Sequence, residues 1–294
     1  MPLITPLRAR MYLLRATIPP ALATHEFVVA HGPVDAVERI RAGAVPDAVR
    51  REITRPDLHT DTRDLDAIDT GTARLVTPED DEWPHGQLRH LQTTQLGTPL
   101  ALWVRGTPQL ADTVSPSMCV TGSNAPNDGG GLAAAEFASH AAAHGVTVLS
   151  GGSYGVEGIA HRAAVPFGRT VAVLAGGVDV VHPLGHRALF TDIVDSGGLL
   201  VSEYPIGAAP TLYRKATRYR LLAALSQTTV ITEARLGSKV METAFAAGLL
   251  RRPVYVVTRG MPSVHSAGGH ELVRAGLATG VTAARDIALP RDRR

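Results

Sequence analysis

From Ser117 to about residue 285, the chain alternates short apolar runs with segments that repeat apolar residues at helical spacing. Apolar runs bounded by turn residues are typical of strands that are buried on both faces of a parallel sheet. Six such runs lie at residues 118–122, 146–150, 170–175, 199–203, 229–233 and 254–258. The alternation therefore predicts an α/β fold, an extended Rossmann-like doubly wound parallel sheet.

The segment before this alternation is organised differently. Residues 1–65 carry short helical patterns separated by proline and glycine, which predict a small helical N-terminal domain of the SAM-like or helix-hairpin-helix-like kind. We predict a lead-in and linker over 66–116, the Rossmann-like domain over 117–285 and a basic tail over 286–294. Because the apolar alternation of the large core begins only near residue 100, we expect a chain that starts near Thr77 to fold without the N-terminal domain.

Composition excludes several classes of protein. With 294 residues, 45% of them hydrophobic, the chain can bury a full-sized core. The single cysteine, Cys119, rules out a disulfide framework and a cysteine metal site, and it favours a cytoplasmic location. Arg8, Arg10 and Arg15 interrupt the first apolar stretch, and no later run is long enough to cross a bilayer, so we expect neither a leader nor membrane binding.

The turns that follow the predicted strands are rich in glycine. Ligands of an open parallel sheet bind beyond the carboxyl ends of its strands, and five of these turns contain glycine. One such turn has a purely structural explanation, but five on one edge favour a phosphate-bearing ligand, because glycine lets backbone N–H groups approach an anion. The first turn lacks G-x-G-x-x-G and the chain lacks a G-x-x-x-x-G-K-[ST] loop, which argues against a dehydrogenase and an ATPase. We expect no cofactor.

Positive charge is concentrated locally. The formal net charge is +2, but residues 213–220 read Y-R-K-A-T-R-Y-R. Such a cluster attracts a phosphate backbone, and the alternative is a solvated basic helix face. Tyr213 and Tyr219 interleave these charges and could stack on a base, although packing is the commoner role of tyrosine.

Four stretches then occur in a characteristic order. They are V-T-V-L-S-G-G-S-Y-G-V-E-G-I-A-H-R-A-A (146–164), G-R-T-V-A-V-L-A-G-G-V-D-V-V-H-P (168–183), G-G-L-L-V-S-E-Y-P-I-G (197–207) and R-Y-R-L-L-A-A-L-S (218–226). With the lead-in, they resemble the DprA (Smf) family of DNA-processing proteins over about residues 77–285. The resemblance implies a Rossmann-like protein without catalytic residues that binds single-stranded DNA, forms a homodimer and loads a RecA-type recombinase in recombination or natural transformation.

The resemblance and the turns together nominate the site residues. Those expected to contact DNA phosphates are Gly122, Ser123, Asn124, Gly151, Gly152, Arg169, Arg214, Lys215, Arg218, Arg220, Ser238 and Lys239. Those expected to shape the site are Glu157, His161, Glu203, Tyr219 and Glu233. The chain resembles a divergent member, because Asn124, Glu157, Tyr219 and Lys239 replace the arginine, aspartate, asparagine and small residue of the family pattern. Lys239 adds a charge that offsets in part the arginine missing at Asn124.

Three alternatives stay open. The chain is also comparable to the LOG-like superfamily, in which the same edge serves a nucleotide-binding sensor or a nucleoside monophosphate phosphoribohydrolase, although the Pro-Gly-Gly of that group is missing. Arg169 suits either DNA binding or the end of a helix. Glu157 and His161 lie four residues apart and could pair on one helix face, but a metal site is not expected there because a second histidine at that spacing is missing.

Overall fold

The computed structural model describes residues 4–56, 62–259 and 263–291. In these residues one sheet has nine strands in the order β1-β2-β6-β5-β4-β3-β7-β8-β9. The strands are β1 (Arg74–Val76), β2 (Leu102–Arg105), β3 (Ser117–Thr121), β4 (Thr147–Gly151), β5 (Thr170–Val173), β6 (Leu199–Ser202), β7 (Thr228–Ile231), β8 (Val254–Val257) and β9 (Thr279–Val281). Strands β3 to β9 are parallel, whereas β2 pairs antiparallel with both β1 and β6.

Helices connect and flank these strands. The α-helices are α1 (Pro6–Ala16), α2 (Leu22–His31), α3 (Pro33–Arg41), α4 (Asp47–Glu52), α5 (Thr62–Asp69), α6 (His85–Leu88), α7 (Leu110–Thr113), α8 (Asp128–Ala143), α9 (Val156–Ala164), α10 (Arg187–Asp195), α11 (Leu212–Leu225), α12 (Met241–Leu249) and α13 (Ala267–Arg274). Among these helices, both α8 and α11 begin at a side-chain cap: at α8, Asn127 accepts a hydrogen bond from the N–H of Gly130, and at α11, Thr211 accepts one from the N–H of Arg214.

The predicted α/β fold is confirmed. All six predicted strands are present, and their bounds differ from the prediction by at most two residues. Three strands were not predicted: β1 and β9 have only three residues each, and β2 precedes the regular alternation of apolar runs and helical segments. Since β1 and β2 extend the sheet beyond β6, the sheet itself begins at Arg74, inside the segment predicted as lead-in and linker.

The N-terminal helices share a core with the sheet. One apolar cluster contains Tyr12, Leu13 and Val37 from α1 and α3 together with Trp103 of β2, Ala172 of β5, and Leu174 and Phe190. The Arg10 guanidinium on α1 donates a 2.9 Å hydrogen bond to the carbonyl of Leu100, just before β2. The division into domains at residues 65 and 117 stays a prediction, and the apolar packing crosses it.

Parts of the predicted terminal segments cannot be compared with the structure. Residues 1–3 and 57–61 of the N-terminal region and the last three residues of the predicted basic tail lie outside the described residues. Among the residues that are described, no helix is both long enough and apolar enough to cross a membrane.

Candidate functional site

The strand order reverses at β3, and a cleft opens there. From β3 the chain adds β4, β5 and β6 on one side, and it then returns to place β7 on the other side of β3. Beyond the carboxyl ends of β3 and β7 lies a cleft of about 370 Å³, which we call the switch cleft. Its walls include the predicted residues Gly122, Ser123, Asn124, Tyr219, Ser238 and Lys239. Ligands of doubly wound sheets bind at such a point.

The cations of the switch cleft lie in the turn after β7. The Lys239 side chain is 73% exposed, and its Nζ stands 3.9 Å from a carboxylate oxygen of Glu242, a weak pair in solvent. Arg235 is exposed in the same turn, with Nη2 3.2 Å from Nδ1 of His265. Arg235 was not predicted, although its place four residues before Lys239 in a turn after a strand could have identified it.

The turns after β3 and β4 are locked together. Gly155 has a φ of 74°, and a Cβ at this residue would collide with the carbonyl group of Asn124. The N–H of Val156 donates a 3.0 Å hydrogen bond to the carbonyl of Ser123. Only glycine accepts both the positive φ and the close approach without strain, so the position of Asn124 is set by the β4 turn.

A buried ion pair lies beneath these turns. Nη2 of Arg218, on α11, donates to the two carboxylate oxygens of Glu157, on α9, at 2.9 and 3.0 Å. Both residues are buried, and the N–H of Ser153 donates to the same carboxylate at 2.8 Å. Burial alone would raise the pKa of Glu157, but the charge of Arg218 and the Ser153 hydrogen bond outweigh it and lower this pKa. The pair joins α9 to α11 beneath the turns after β3 and β4, and it keeps the Arg218 guanidinium buried.

Arg220 is held in the same way. Its Nη1 and Nη2 donate to the carboxylate of Glu203 at 2.9 and 2.6 Å, and its Nε donates to the carbonyl of Leu96 at 2.8 Å. Both members of this pair are buried. Arg220 therefore ties the end of β6 to the segment between β1 and β2.

His161 does not bond to Glu157 as its spacing suggested. Its Nε2 lies 2.9 Å from the carbonyl oxygen of Gly151 and its Nδ1 lies 2.7 Å from the Thr170 hydroxyl. Burial lowers the pKa of His161 to about 4, so the ring is neutral near pH 7. A neutral ring donates from Nε2 to Gly151 and accepts at Nδ1, which braces the end of β4 against β5.

Glu233 fills the start of α8, where a Rossmann-like fold commonly binds phosphate. Its Oε2 accepts a 3.1 Å hydrogen bond from the N–H of Asn127, and a Cβ at Gly130 would lie 2.7 Å from the same oxygen. Its backbone carbonyl accepts the N–H of Ser123 at 2.9 Å. The other carboxylate oxygen, Oε1, lies 3.6 Å from Nδ1 of His265. The positive end of the α8 dipole is therefore already matched by a carboxylate of the chain itself.

The remaining predicted cations are spread more widely. Lys215 lines a small pocket with Gly152, Ser153 and His182, on the β5 side of the β4 turn. Arg214 lies 4.7 Å from the centre of the Tyr204 ring and donates to the carbonyl of Ala209 at 2.7 Å. Arg169 is exposed but precedes β5, so it lies at the amino edge of the sheet, opposite the switch cleft. Two glycines, Gly151 and Gly152, are buried, the first against the Arg218 guanidinium and the second against Phe190.

Comparison with known proteins identifies the family. Residues 74–290 match the family described as DNA recombination-mediator protein A. The chain belongs to this family. The putative DNA processing protein DprA of Mycobacterium tuberculosis is 40% identical over 295 residues, which cover 95% of this chain and 74% of that protein. Protein Smf of Escherichia coli is 34% identical over 202 residues, covering 68% of this chain and 52% of that protein.

Solved structures of the family share the fold. DNA processing protein A of Streptococcus pneumoniae superposes with a TM-score of 0.74 at 23% identity, covering 96% of both chains. The Helicobacter pylori protein, studied for its single-stranded DNA binding mode, gives a TM-score of 0.63 at 25% identity and covers 72% of this chain and 93% of that one. The predicted membership in the DprA family is confirmed.

The four departures from the DprA pattern occupy different layers. Asn124 and Lys239 face the switch cleft from the turns after β3 and β7 and are exposed. Glu157 keeps a carboxylate in the buried pair with Arg218. Tyr219 is 9% exposed and belongs to the apolar core, with its ring 5.6 Å from the Arg218 guanidinium. The exposed substitutions change the charge at the cleft, whereas Glu157 lies under it and Tyr219 contributes a mostly buried ring to its wall.

Proposed function

We propose that this DprA-family chain binds single-stranded DNA along the carboxyl edge of its sheet and mediates recombination without catalysis. The observation that carries the proposal is the pair of exposed cations, Arg235 and Lys239, at the switch cleft. Arginine and lysine supply most of the affinity for a nucleic-acid backbone. Two findings support it: the chain belongs to the family described as DNA recombination-mediator protein A, and a solved structure with the same fold was studied for its single-stranded DNA binding mode.

The proposed contacts fall into two groups. In the switch cleft, the phosphates contact Ser123, Asn124, Arg235, Ser238 and Lys239. On the other side of the β4 turn, a phosphate contacts Lys215. The buried arginines Arg218 and Arg220 act through Glu157 and Glu203 and hold the turns in place. Arg214 contributes charge near the start of α11, and Arg169, at the opposite edge, takes no part.

A nucleotide-processing role is the competing proposal, and Glu233 argues against it. A nucleoside monophosphate bound in the usual way would place its phosphate at the start of α8, where the Glu233 carboxylate already accepts the N–H of Asn127. The buried carboxylates of Glu157 and Glu203 are each paired with an arginine, so neither is placed to act as a general acid or base. These observations favour a binding protein over a phosphoribohydrolase.

We further propose the partners that membership in the family suggests. The chain forms a homodimer through its Rossmann-like region and loads a RecA-type recombinase onto the bound strand, in recombination or natural transformation. It works in the cytoplasm, without a cofactor and without a membrane. Sedimentation of the purified chain with and without recombinase and oligo-dT tests both associations, and a monomer that leaves the recombinase unaffected would contradict them.

Salt dependence tests the DNA-binding proposal. If Lys215, Arg235 and Lys239 each neutralise one phosphate, the affinity for oligo-dT should fall with salt at a log–log slope of about −2, since each contact contributes about −0.7 on single strands. Fluorescence anisotropy with labelled oligo-dT at several salt concentrations measures the slope, and AMP serves as the competing ligand. Tight AMP binding without DNA affinity, or a flat salt response, would reject the proposal.

The altered turns give a second prediction. Asn124→Arg should tighten oligo-dT binding, and Lys239→Ala should weaken it, each by about threefold to tenfold, because both residues are exposed and solvent screens the charge. If the two groups serve one phosphate region, their effects should be non-additive in the double variant. Arg169→Ala, an exposed arginine at the opposite edge, is the matched control and should bind like the wild type. Unchanged affinity in both single variants would remove these turns from the site.

A further inference from the structure

An exposed tyrosine stands in the middle of the carboxyl edge. Tyr154, in the turn after β4, is 52% exposed, whereas Tyr219 of the basic stretch is 9% exposed. The Tyr154 ring meets the His186 ring edge-on, with 4.9 Å between centroids and 78° between planes. Tyr154 therefore stays about half exposed although its ring has an edge-on aromatic contact, a preferred arrangement of aromatic pairs.

The support beneath Tyr154 is rigid. His186 is buried, its Nδ1 lies 3.1 Å from the carbonyl oxygen of Gly152, and its ring meets Phe190 edge-on at 6.0 Å. The Tyr154 hydroxyl packs so closely on Gly185 that a Cβ there would lie 2.7 Å from it. These neighbours restrict the orientations of the ring before any ligand arrives, which reduces the entropy lost on binding.

Cations flank this ring on both sides. On one side the β4 turn is locked against Asn124 at the switch cleft, which also holds Arg235 and Lys239. On the other side Ser153, the neighbour of Tyr154, lines the pocket that contains Lys215. In the strand order β7-β3-β4, the turn after β7, which carries Arg235 and Lys239, lies two strands from the β4 turn, about 10 Å at the usual spacing of neighbouring strands.

We propose that Tyr154 is the stacking platform for one nucleobase of the bound strand, whose phosphates contact Arg235 and Lys239 on one side and Lys215 on the other. This inference rests on the proposed function and adds a base-recognising subsite to it. Every base has an aromatic face, so the contact accepts any sequence, and it distinguishes a single strand from a duplex whose bases are already stacked.

Strands with and without bases test the subsite. The wild type should bind oligo-dT about tenfold more tightly than a strand of equal length made of abasic nucleotides, which carries the same phosphates. Tyr154→Ala should lower the affinity for oligo-dT to the abasic level and leave abasic binding unchanged, whereas Tyr154→Phe should behave as the wild type. In Tyr154→Trp, oligo-dT should quench tryptophan fluorescence more than in the wild type, whose two tryptophans, Trp83 and Trp103, are buried, and the abasic strand should not.

Tyr213→Ala is the matched control. Tyr213 is 54% exposed, but its hydroxyl donates a 2.9 Å hydrogen bond to the carbonyl of Pro19 in the N-terminal region. This variant should keep the preference for oligo-dT over the abasic strand. Thermal melting of each variant checks that the fold is kept.

The outcomes separate the subsite from the proposed function. Equal wild-type affinity for both strands, with a steep salt dependence, overturns the stacking platform and leaves backbone binding intact. Equal loss on both strands in a folded Tyr154→Ala also overturns it, because the residue then serves the fold of the turn. If the wild type binds neither strand, the proposed function fails and the subsite with it.

Discussion

A chain shortened to begin at Thr77 is expected to aggregate and to lose its cooperative unfolding transition, although it retains every parallel strand. The shortening removes α1 to α5 and β1, and with them the N-terminal residues that share an apolar cluster with Trp103 and Leu174. Deleting a single buried large side chain costs about 2–5 kcal/mol, and here several are lost at once. The sum exceeds the roughly 5–15 kcal/mol by which domains are stable.

The exposed surface explains the expected aggregation. Without α1 and α3, the face of the sheet that carries Trp103 and Ala172 meets water, and β2 loses its antiparallel neighbour β1. Large apolar patches and open strand edges promote association. Size-exclusion chromatography and thermal melting measure both effects, and a chain that begins at Thr5, where α1 is capped, is the control. A monomeric Thr77 chain with the melting temperature of the full protein would contradict this expectation and support an independent domain.

The sequence predicted the parallel sheet because each buried strand can be recognised from its own short run of residues. Runs such as residues 146–150 and 199–203 carry three aliphatic residues in five, and a strand covered on both faces has a mostly apolar pattern of this kind wherever it lies in the chain. The packing of α1 against β2 leaves no such signal, because Tyr12 and Trp103 are far apart in sequence and each would suit any core. Short strands such as β1 carry too few residues for a period of two to be recognised.

In the candidate site, too, the features set by local sequence were predictable and those set by distant residues were not. Glycine-bearing turns and Lys239 could be placed on one edge by counting the ends of strands, and counting would also have put Arg169 at the other edge, since it precedes its strand. The burial of Arg218 and Arg220 could not be predicted from the basic stretch, because their carboxylate partners lie 61 and 17 residues away. From sequence alone, a helix with cations on several faces is expected to expose them, because the buried partners are not apparent.

Breaking the buried pair between Arg218 and Glu157 is expected to cost the protein about 3–5 kcal/mol of stability. In Arg218→Ala the Glu157 carboxylate would remain buried with only the Ser153 N–H and the weaker Thr121 hydroxyl contact at 3.4 Å. An uncompensated buried charge accounts for most of this cost, since the attraction within the intact pair mainly offsets the desolvation of its members. Urea denaturation of the wild type and the variant measures the difference.

Removing both charges tests whether the pair stabilises the fold by charge or by shape. In the double variant Arg218→Met with Glu157→Met, no charge is left buried, so most of the stability should return. The recovery should be incomplete by about 1–3 kcal/mol, because the Ser153 N–H would lose its acceptor. If the double variant is as unstable as Arg218→Ala alone, the pair is not the source of the effect.

Affinity for oligo-dT, measured on the refolded double variant, then separates the two roles of Arg218. A positioning residue that is replaced at constant shape should leave binding within about threefold of the wild type, whereas a direct phosphate contact should lose tenfold or more.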